Sequence, residues 1–230
     1  MKTLFSIVAL SISVATGQAA KIDKANISNN AKFVVHLDLD AFRASKIGTA
    51  ILEKFREGDG GEKLNALVEL IEFDPLSSIH GATMFGNGEE DNGILVVKHK
   101  AKSTKLLAFM KLNEHYRKTE HGKHEIHGAG DRSDGERGYI SFVNESTAVL
   151  APNREQTGVG IDLVNGKGGA IKVPSSLDSM SKKTKNTFLV AYADVENLKE
   201  NIDNETVNQM VKRAALSLGE SDEKLSLIHI

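Results

Sequence analysis

The sequence contains an imperfect internal repeat that limits how the chain can fold. Residues 31–43, AKFVVHLDLDAFR, align without a gap with residues 187–199, TFLVAYADVENLK, and an aspartate is kept as Asp38 and Asp194. In both copies alternating apolar residues lead into an acidic position, a pattern typical of a strand that runs into a helix. The repeat therefore predicts a chain made of two related halves.

The two predicted halves differ greatly in length. A first α+β repeat would span residues 31–166, a Gly-, Ser- and Lys-rich segment would connect over 167–186, and a second repeat would start at 187–224. Because the second copy is far shorter than the first, we expect it to be truncated. Residues 225–230 match what a common DNA-library adapter would encode, and we interpret them as an adapter-derived artefact. A short native β-strand is the alternative.

The N-terminus has the features of a secretory signal peptide over residues 1–19. Lys2 supplies a positive charge, residues 4–15 are mainly apolar, and Gly17-Gln18-Ala19 form a small-x-small cleavage site. A membrane anchor is the alternative, but the apolar stretch is shorter than the roughly 20 residues that a spanning helix needs. We therefore expect cleavage, a polar linker over residues 20–30, no membrane span after cleavage, and a periplasmic or extracellular location.

The composition excludes several classes of protein. There is no cysteine, so an exported chain of this kind has neither disulfide bonds nor thiolate chemistry. The formal net charge is −2, which offers no basic surface to nucleic acid or anionic lipid. Tryptophan is absent and aromatic residues are sparse, so a platform for stacking sugars is poorly supported. A protein partner is compatible with this composition.

Hydrophobic periodicity predicts how the first half begins. Residues 32–39 alternate as a half-buried strand does, and Asp40 is placed to cap the helix that follows. A second helix has apolar residues at i, i+3, i+4 and i+7, and we expect this stripe to pack on the sheet. Its members are Leu64, Leu67, Val68 and Ile71.

Turn signals predict that the rest of the first half is built mainly from hairpins. The predicted strand pairs are 79–85 with 94–99, 116–119 with 123–127, and 139–143 with 147–150. Further helices of the first half are predicted after Ser103 and from Asn153 to Asn165. The second copy is predicted to add a helix from Glu196 to about Lys212 and a strand at Ala215–Leu218. This order implies an α+β fold with a largely antiparallel sheet and helices on one face.

Two short motifs resemble those of a loose group of uncharacterised exported bacterial proteins. These proteins have a signal peptide, a "strand-D-L-D-x-hydrophobic-R-x-S" opening and an "F-D-P" link into strands. Residues 35–45, VHLDLDAFRAS, and Phe73-Asp74-Pro75 match these motifs here, and the resemblance covers about residues 30–166. The group has no assigned activity, so the resemblance implies a fold and no chemistry.

Four histidines lie close together, as metal ligands often do: His115, His121, His124 and His127. Strand parity argues against a shared site, because residues of opposite parity point to opposite faces. His124 should lie on the core side beside Ile126, His127 should face solvent, and His121 falls in the turn. His121 and His124 could approach each other, but two ligands make a weak site. We predict solvated hairpin histidines and no metal site.

Paired acids and glycines are the remaining candidates for chemistry. Asp38 and Asp40, repeated as Asp194 and Glu196, could bind calcium or act as an acid and base pair. A capping role at the strand-to-helix junction is the stronger interpretation. The glycines at 158–160 and 166–169 match no phosphate-binding motif, and we interpret them as flexible loop.

The sequence thus predicts an exported protein of unknown function, a non-enzymatic structural or binding module of the periplasm or cell exterior. No catalytic residue, cofactor site or metal site is predicted. The alternative is an enzyme with an active site between the two halves, whose decisive residues would lie in a missing C-terminal segment.

Overall fold

The described residues form a ten-stranded sheet in which every neighbouring pair of strands is antiparallel, in the order β10-β9-β8-β1-β2-β3-β7-β6-β5-β4. The computed structural model describes residues 21–100, 102–129, 138–169, 171, 186–198, 212–221 and 224–229. The strands are β1 Phe33–Asp38, β2 Ile79–Gly86, β3 Gly93–His99, β4 Arg117–His121, β5 His124–Ala129, β6 Gly138–Asn144, β7 Thr147–Ala151, β8 Thr187–Ala193, β9 Ala214–Ser221 and β10 Lys224–His229.

Six α-helices accompany the sheet in the described part of the chain. They are α1 Leu39–Ala44, α2 Lys46–Glu57, α3 Asp59–Ile71, α4 Pro75–Ser78, α5 Thr104–Met110 and α6 Arg154–Val164, and short 3-10 turns occur at Lys24–Asn26 and Val195–Asn197. The predicted α+β class with an antiparallel sheet is confirmed, and so are the three predicted hairpins. None of the described helices is both long and apolar enough to cross a membrane.

The two copies of the internal repeat lie side by side in the sheet. The strand of the second copy, β8, pairs directly with the strand of the first, β1. Val34 and its counterpart Val190 are both buried, at 1% and 5% exposure. The first copy then enters α1, whereas the second enters the 3-10 turn. The rest of its predicted helix, residues 199–211, lies outside the described residues.

The last described strand comes from the segment that we interpreted as an artefact. Residues 224–229 form β10, which pairs along its length with β9. Ala215–Leu218 lies within β9 as predicted. The origin of residues 225–230 and the predicted domain boundaries stay predictions, because pairing shows only that this sequence can extend a sheet.

A hydrophobic core lies between α6 and one face of the sheet. Buried residues of β1, β2, β3 and β7 meet Ile161 and Leu163 of α6, and Ile27 of the N-terminal segment packs with them. The central sheet residues are Val34, Phe85, Ile94, Val96 and Val149. Gly160 permits close contact at this point, because a Cβ there would lie 2.4 Å from Cγ1 of Val149.

The predicted packing of the α3 stripe on the sheet is wrong. Only Ile71 of that stripe is buried, while Leu67 is 40% exposed. Helix α3 packs mainly against α2 and also contacts α5, because α6 and the N-terminal segment already cover the core face of the sheet. The apolar stripe therefore stabilises a helical hairpin beside the sheet.

Candidate ligand-binding groove

The sheet face opposite the core has a row of apolar side chains that the described helices cover only in part. Directly paired residues on neighbouring strands point to the same face, and the register joins one such row across five strands. The row is Val35, Met84, Leu95, Leu150 and Ile140. Val35 is 38% exposed and Met84 is 45% exposed. The other three side chains are partly buried. A continuous apolar row that keeps contact with water in this way indicates a binding site.

A groove of about 780 Å³ lies over this row. Met84, Leu95, Leu150 and Ile140 line it from the sheet, and Leu106 and Met110 line it from α5. The volume falls within the range of about 300–1,000 Å³ that is typical of small-molecule sites. Methionine side chains on both sides make the groove adaptable, because a thioether chain has several soft torsions.

Gly86 allows the groove to form at the end of β2. It pairs with Phe33, and a Cβ at Gly86 would lie 2.1 Å from the carbonyl oxygen of Asn92 and 2.9 Å from the Phe33 ring. A larger residue would therefore displace either the loop or the ring. Phe33 lines the groove, so glycine at 86 lets this aromatic ring pack close to the β2–β3 turn.

The β2–β3 loop supplies the polar end of the groove. The backbone N–H of Asn87 donates to Oδ1 of Asn92 at 3.1 Å, and the backbone N–H of Glu89 donates to Oδ1 of Asn87 at 3.0 Å. Asn153, which caps α6, donates through Nδ2 to the carbonyl oxygen of Asp91 at 3.1 Å. These bonds tie the loop to itself and to the helix that covers the core.

Among the described residues that line the groove, the ionisable side chains other than tyrosine are two carboxylates. They belong to Glu89 and Asp91, and both residues are exposed. The remaining lining is apolar apart from Asn92, Tyr139 and backbone groups. Chemically, the groove can bury a hydrocarbon chain and present negative charge at one end.

The apolar row ends at a buried histidine, which contradicts the prediction that His127 faces solvent. His127 pairs with Ile140 and is 3% exposed. Its Nδ1 is 2.8 Å from the Tyr116 hydroxyl, and the two rings lie at 22° to each other. Burial lowers the pKa of His127, and the nearby carboxylate of Glu125 opposes this in part. Tyr116 follows α5 and folds over the ring, which alternation alone could not show.

The other hairpin histidines contact α6. His121 and His124 form a directly opposed pair, as their predicted approach requires. Nε2 of His121 is 2.9 Å from Oδ2 of Asp162, and Nδ2 of Asn165 is 3.0 Å from Nε2 of His124. Burial, with the charge of Lys123, lowers the pKa of His124.

His115 lies before the hairpin, with Nε2 3.6 Å from the Glu114 carboxylate. Within the described residues, no group of three or more His, Asp or Glu side chains is arranged to hold a metal ion. The structure brings His121 and His124 together, as the sequence suggested. It separates both of them from His115 and from His127, which is buried and bonded to Tyr116.

The cap of α1 is Asp38 rather than the predicted Asp40. Asp38 ends β1 in an extended conformation, is 4% exposed, and accepts a bond from the Ala41 N–H at 2.9 Å. Asp40 lies two residues further on, in the first turn of α1, where it pairs with Arg43 and with Nδ1 of His80, the latter at 2.8 Å. Both carboxylates are thus engaged in separate contacts, as the structural interpretation of this pair requires.

The second copy shows a related arrangement. Asp194 precedes the 3-10 turn and accepts a bond from Nδ2 of Asn197 at 2.8 Å. Glu196 lies in the turn itself and is exposed. The acid kept in both copies therefore stands at the same strand exit in each.

The predicted flexible loop at residues 158–160 is wrong. These residues lie inside α6, where Gly158 and Gly160 are buried. The glycines permit contact with the sheet and with the His121 ring. Residues 166–169 do follow the helix, and Gly166 and Gly168 have positive φ angles of 75° and 136°.

The groove was not predicted, although the sequence contained a signal for it. Strands β1, β2 and β3 carry apolar residues at odd and even positions alike: FVVHL, ATMF and ILVV. An ordinary half-covered strand alternates apolar and polar residues. Apolar residues on both faces indicate that the second face also needs a cover or a ligand.

Comparison with known proteins finds similarity of fold only. No protein-family model matches the chain, and no curated protein matches it either. The chain is similar in structure to TP0453, a bacterial protein of Treponema. Crystal form III gives a TM-score of 0.58 at 8% identity and covers 91% of this chain and 79% of that one. Form IV gives 0.58 at 9% identity with 90% and 79% covered, and form I gives 0.54 at 9% with 92% and 78% covered.

Proposed function

We propose that this chain is an exported, non-enzymatic binding protein that holds an elongated apolar molecule in the groove between the open sheet face and α5. The observation that carries the proposal is the groove of about 780 Å³ with its floor of Met84, Leu95, Leu150 and Ile140. The signal-peptide pattern of residues 1–19 supports export. The motifs shared with uncharacterised exported bacterial proteins support the same location.

Burial of hydrocarbon would supply the affinity. Each methylene removed from water contributes about 0.8 kcal/mol, so a twelve-carbon chain that fills the groove could gain on the order of 9 kcal/mol. Association and chain ordering offset several kcal/mol of this gain. The net gain is then about 4–6 kcal/mol, so we expect dissociation constants between tens of micromolar and about a millimolar.

The lining favours a ligand over a buried core as the reason for this apolar surface. Met84, on the floor of the groove, is 45% exposed, which leaves apolar area in water. Helix α5 borders the groove with Leu106 and Met110 but does not close it. A hydrocarbon chain lying between helix and sheet would bury all of these side chains at once.

A neutral, environment-sensitive fluorophore such as N-phenyl-1-naphthylamine tests the proposal. We expect saturable binding by the mature chain, residues 20–230, with a blue-shifted emission. The double variant Met84→Gln with Leu106→Gln should weaken binding by roughly tenfold or more, because it makes two walls polar. Leu70→Gln is the matched control, since Leu70 is 61% exposed and does not line the groove.

The same titration can refute the proposal. If a folded wild-type chain shows no saturable fluorescence change, the groove is not a ligand site. If the Leu70→Gln control loses as much affinity as the groove variant, the fluorophore binds the helical hairpin instead.

A further inference from the structure

The charges at the mouth of the groove bear on which ligand it accepts. Glu89 and Asp91 both line the groove and both lie on the β2–β3 loop. Across the lining residues that the structure describes, no lysine, arginine or histidine offsets these two negative charges. Among the described lining residues, a polar end that lies at the loop therefore meets two carboxylates and no basic side chain.

The loop holds the Glu89 carboxylate and the backbone of Asp91. The Glu89 side chain accepts a bond from Nδ2 of Asn87 at 2.8 Å, and its backbone N–H donates back to Oδ1 of Asn87. Asp91 has a left-handed φ of 56°, and its carbonyl oxygen is bonded by Asn153. Aspartate and asparagine adopt this conformation more readily than most residues. The loop thus positions the Glu89 carboxylate and the backbone that carries Asp91 beside the apolar floor.

We infer that the ligand is a single-chain amphiphile with a cationic, amine-type head group, seated with its chain on the apolar floor and its head at the Glu89 and Asp91 loop. This inference rests on the proposed function and adds the polarity of the ligand to it. Opposite charges attract at the mouth, whereas a carboxylate head would be placed beside two like charges. An anionic amphiphile of the same chain length should therefore bind more weakly.

The size of the preference follows from the exposure of the acids. Exposed charges a few ångströms apart interact weakly in water, and salt screens them over about 10 Å at 0.1 M. The two carboxylates attract a cationic head group and repel an anionic one. The difference in binding free energy between the two ligands therefore contains both the attraction and the repulsion. We expect a cationic amphiphile to bind roughly tenfold more tightly than its anionic counterpart at low salt.

Competition with the bound neutral fluorophore tests the inference. Dodecylamine, dodecanol and dodecanoate share one chain length and differ in head-group charge at pH 7, and each is used well below its aggregation concentration. The wild-type chain should rank them amine, alcohol, carboxylate. The double variant Glu89→Gln with Asp91→Asn should bring the three affinities together, and added salt should reduce the wild-type preference.

A second double variant separates local charge from overall charge. Glu57→Gln with Glu69→Gln removes the same number of acids from exposed positions on α2 and α3 that do not line the groove. This control should keep the wild-type ranking. Equal affinity for all three amphiphiles in the wild-type chain, or the same loss of ranking in the control, would overturn the inference while the fluorophore binding stands. Absence of fluorophore binding would overturn the proposed function itself, and the inference with it.

Discussion

The partly buried Tyr116 and the buried His127 give the most direct test of how the end of the apolar row is held. Nδ1 of His127 is 2.8 Å from the Tyr116 hydroxyl, and the histidine is 3% exposed. Tyr116→Phe keeps the ring but removes the hydroxyl, which leaves a buried ring nitrogen without this bond. Such an unsatisfied group costs about 1–3 kcal/mol of unfolding free energy. For a chain of this size that is roughly 3–10 °C in melting temperature.

The pair also predicts a pH dependence of stability. Burial lowers the pKa of His127 in the folded state, so the unfolded chain binds a proton first as the pH falls. Neutral His127 therefore makes its full contribution to the unfolding free energy above the ordinary histidine pKa of about 6.5. That contribution is lost as the pH falls from about 6.5 toward the lower pKa that His127 has in the folded chain. We expect the wild-type chain to lose stability between about pH 7 and pH 5, and His127→Gln to show a flatter profile.

Urea denaturation followed by circular dichroism at several pH values measures both effects. His115→Gln is the matched control. The His115 side chain is 40% exposed, so this substitution should leave the pH profile unchanged. Unchanged stability in Tyr116→Phe together with a wild-type pH profile in His127→Gln would show that the buried pair does not stabilise this end of the fold.

Four further substitutions test the packing. Leu67→Asp should change the melting temperature by only a few degrees, because Leu67 is 40% exposed. Val34→Asp should prevent folding, because Val34 is 1% exposed and the new charge would be buried without a partner. Thermal denaturation of both variants shows which of the two residues belongs to the core. Asp38→Ala removes the side-chain cap of α1 and should cost about 0.5–2 kcal/mol in urea denaturation; an unchanged midpoint would contradict the capping role. Gly160→Val should destabilise the chain by about 1–3 kcal/mol or more, since a Cβ there would lie 2.4 Å from Val149; a variant as stable as wild type would mean that α6 can move away from the sheet.

Local patterns predicted most of the secondary structure. Alternation with turn residues between the strands indicated the hairpins β2–β3, β4–β5 and β6–β7, and Asn153 marked the start of α6. These features depend on neighbours a few residues away, so the sequence reports them directly. The cap of α1 was misplaced by two residues because Asp38 and Asp40 both fit the pattern, and only the backbone angles distinguish them.

The candidate site depended on contacts that no local pattern contains. The apolar residues of β1, β2, β3, β7 and β6 come from distant parts of the chain, and the register alone aligns them in one row. The same holds for His127. Strand parity predicted that its side chain faces solvent, but in the structure Tyr116 covers it.

The sequence by itself determined which residues alternate, where helices start, and that a strand unit occurs twice. Only the tertiary structure decided which apolar face became the core, because α6 and Ile27 cover one side of the sheet while α5 borders the other without closing it. Both faces carry enough apolar area to be buried, and each helix can cover only the face that its connections allow it to reach. The face left open is the groove that we propose as the ligand site.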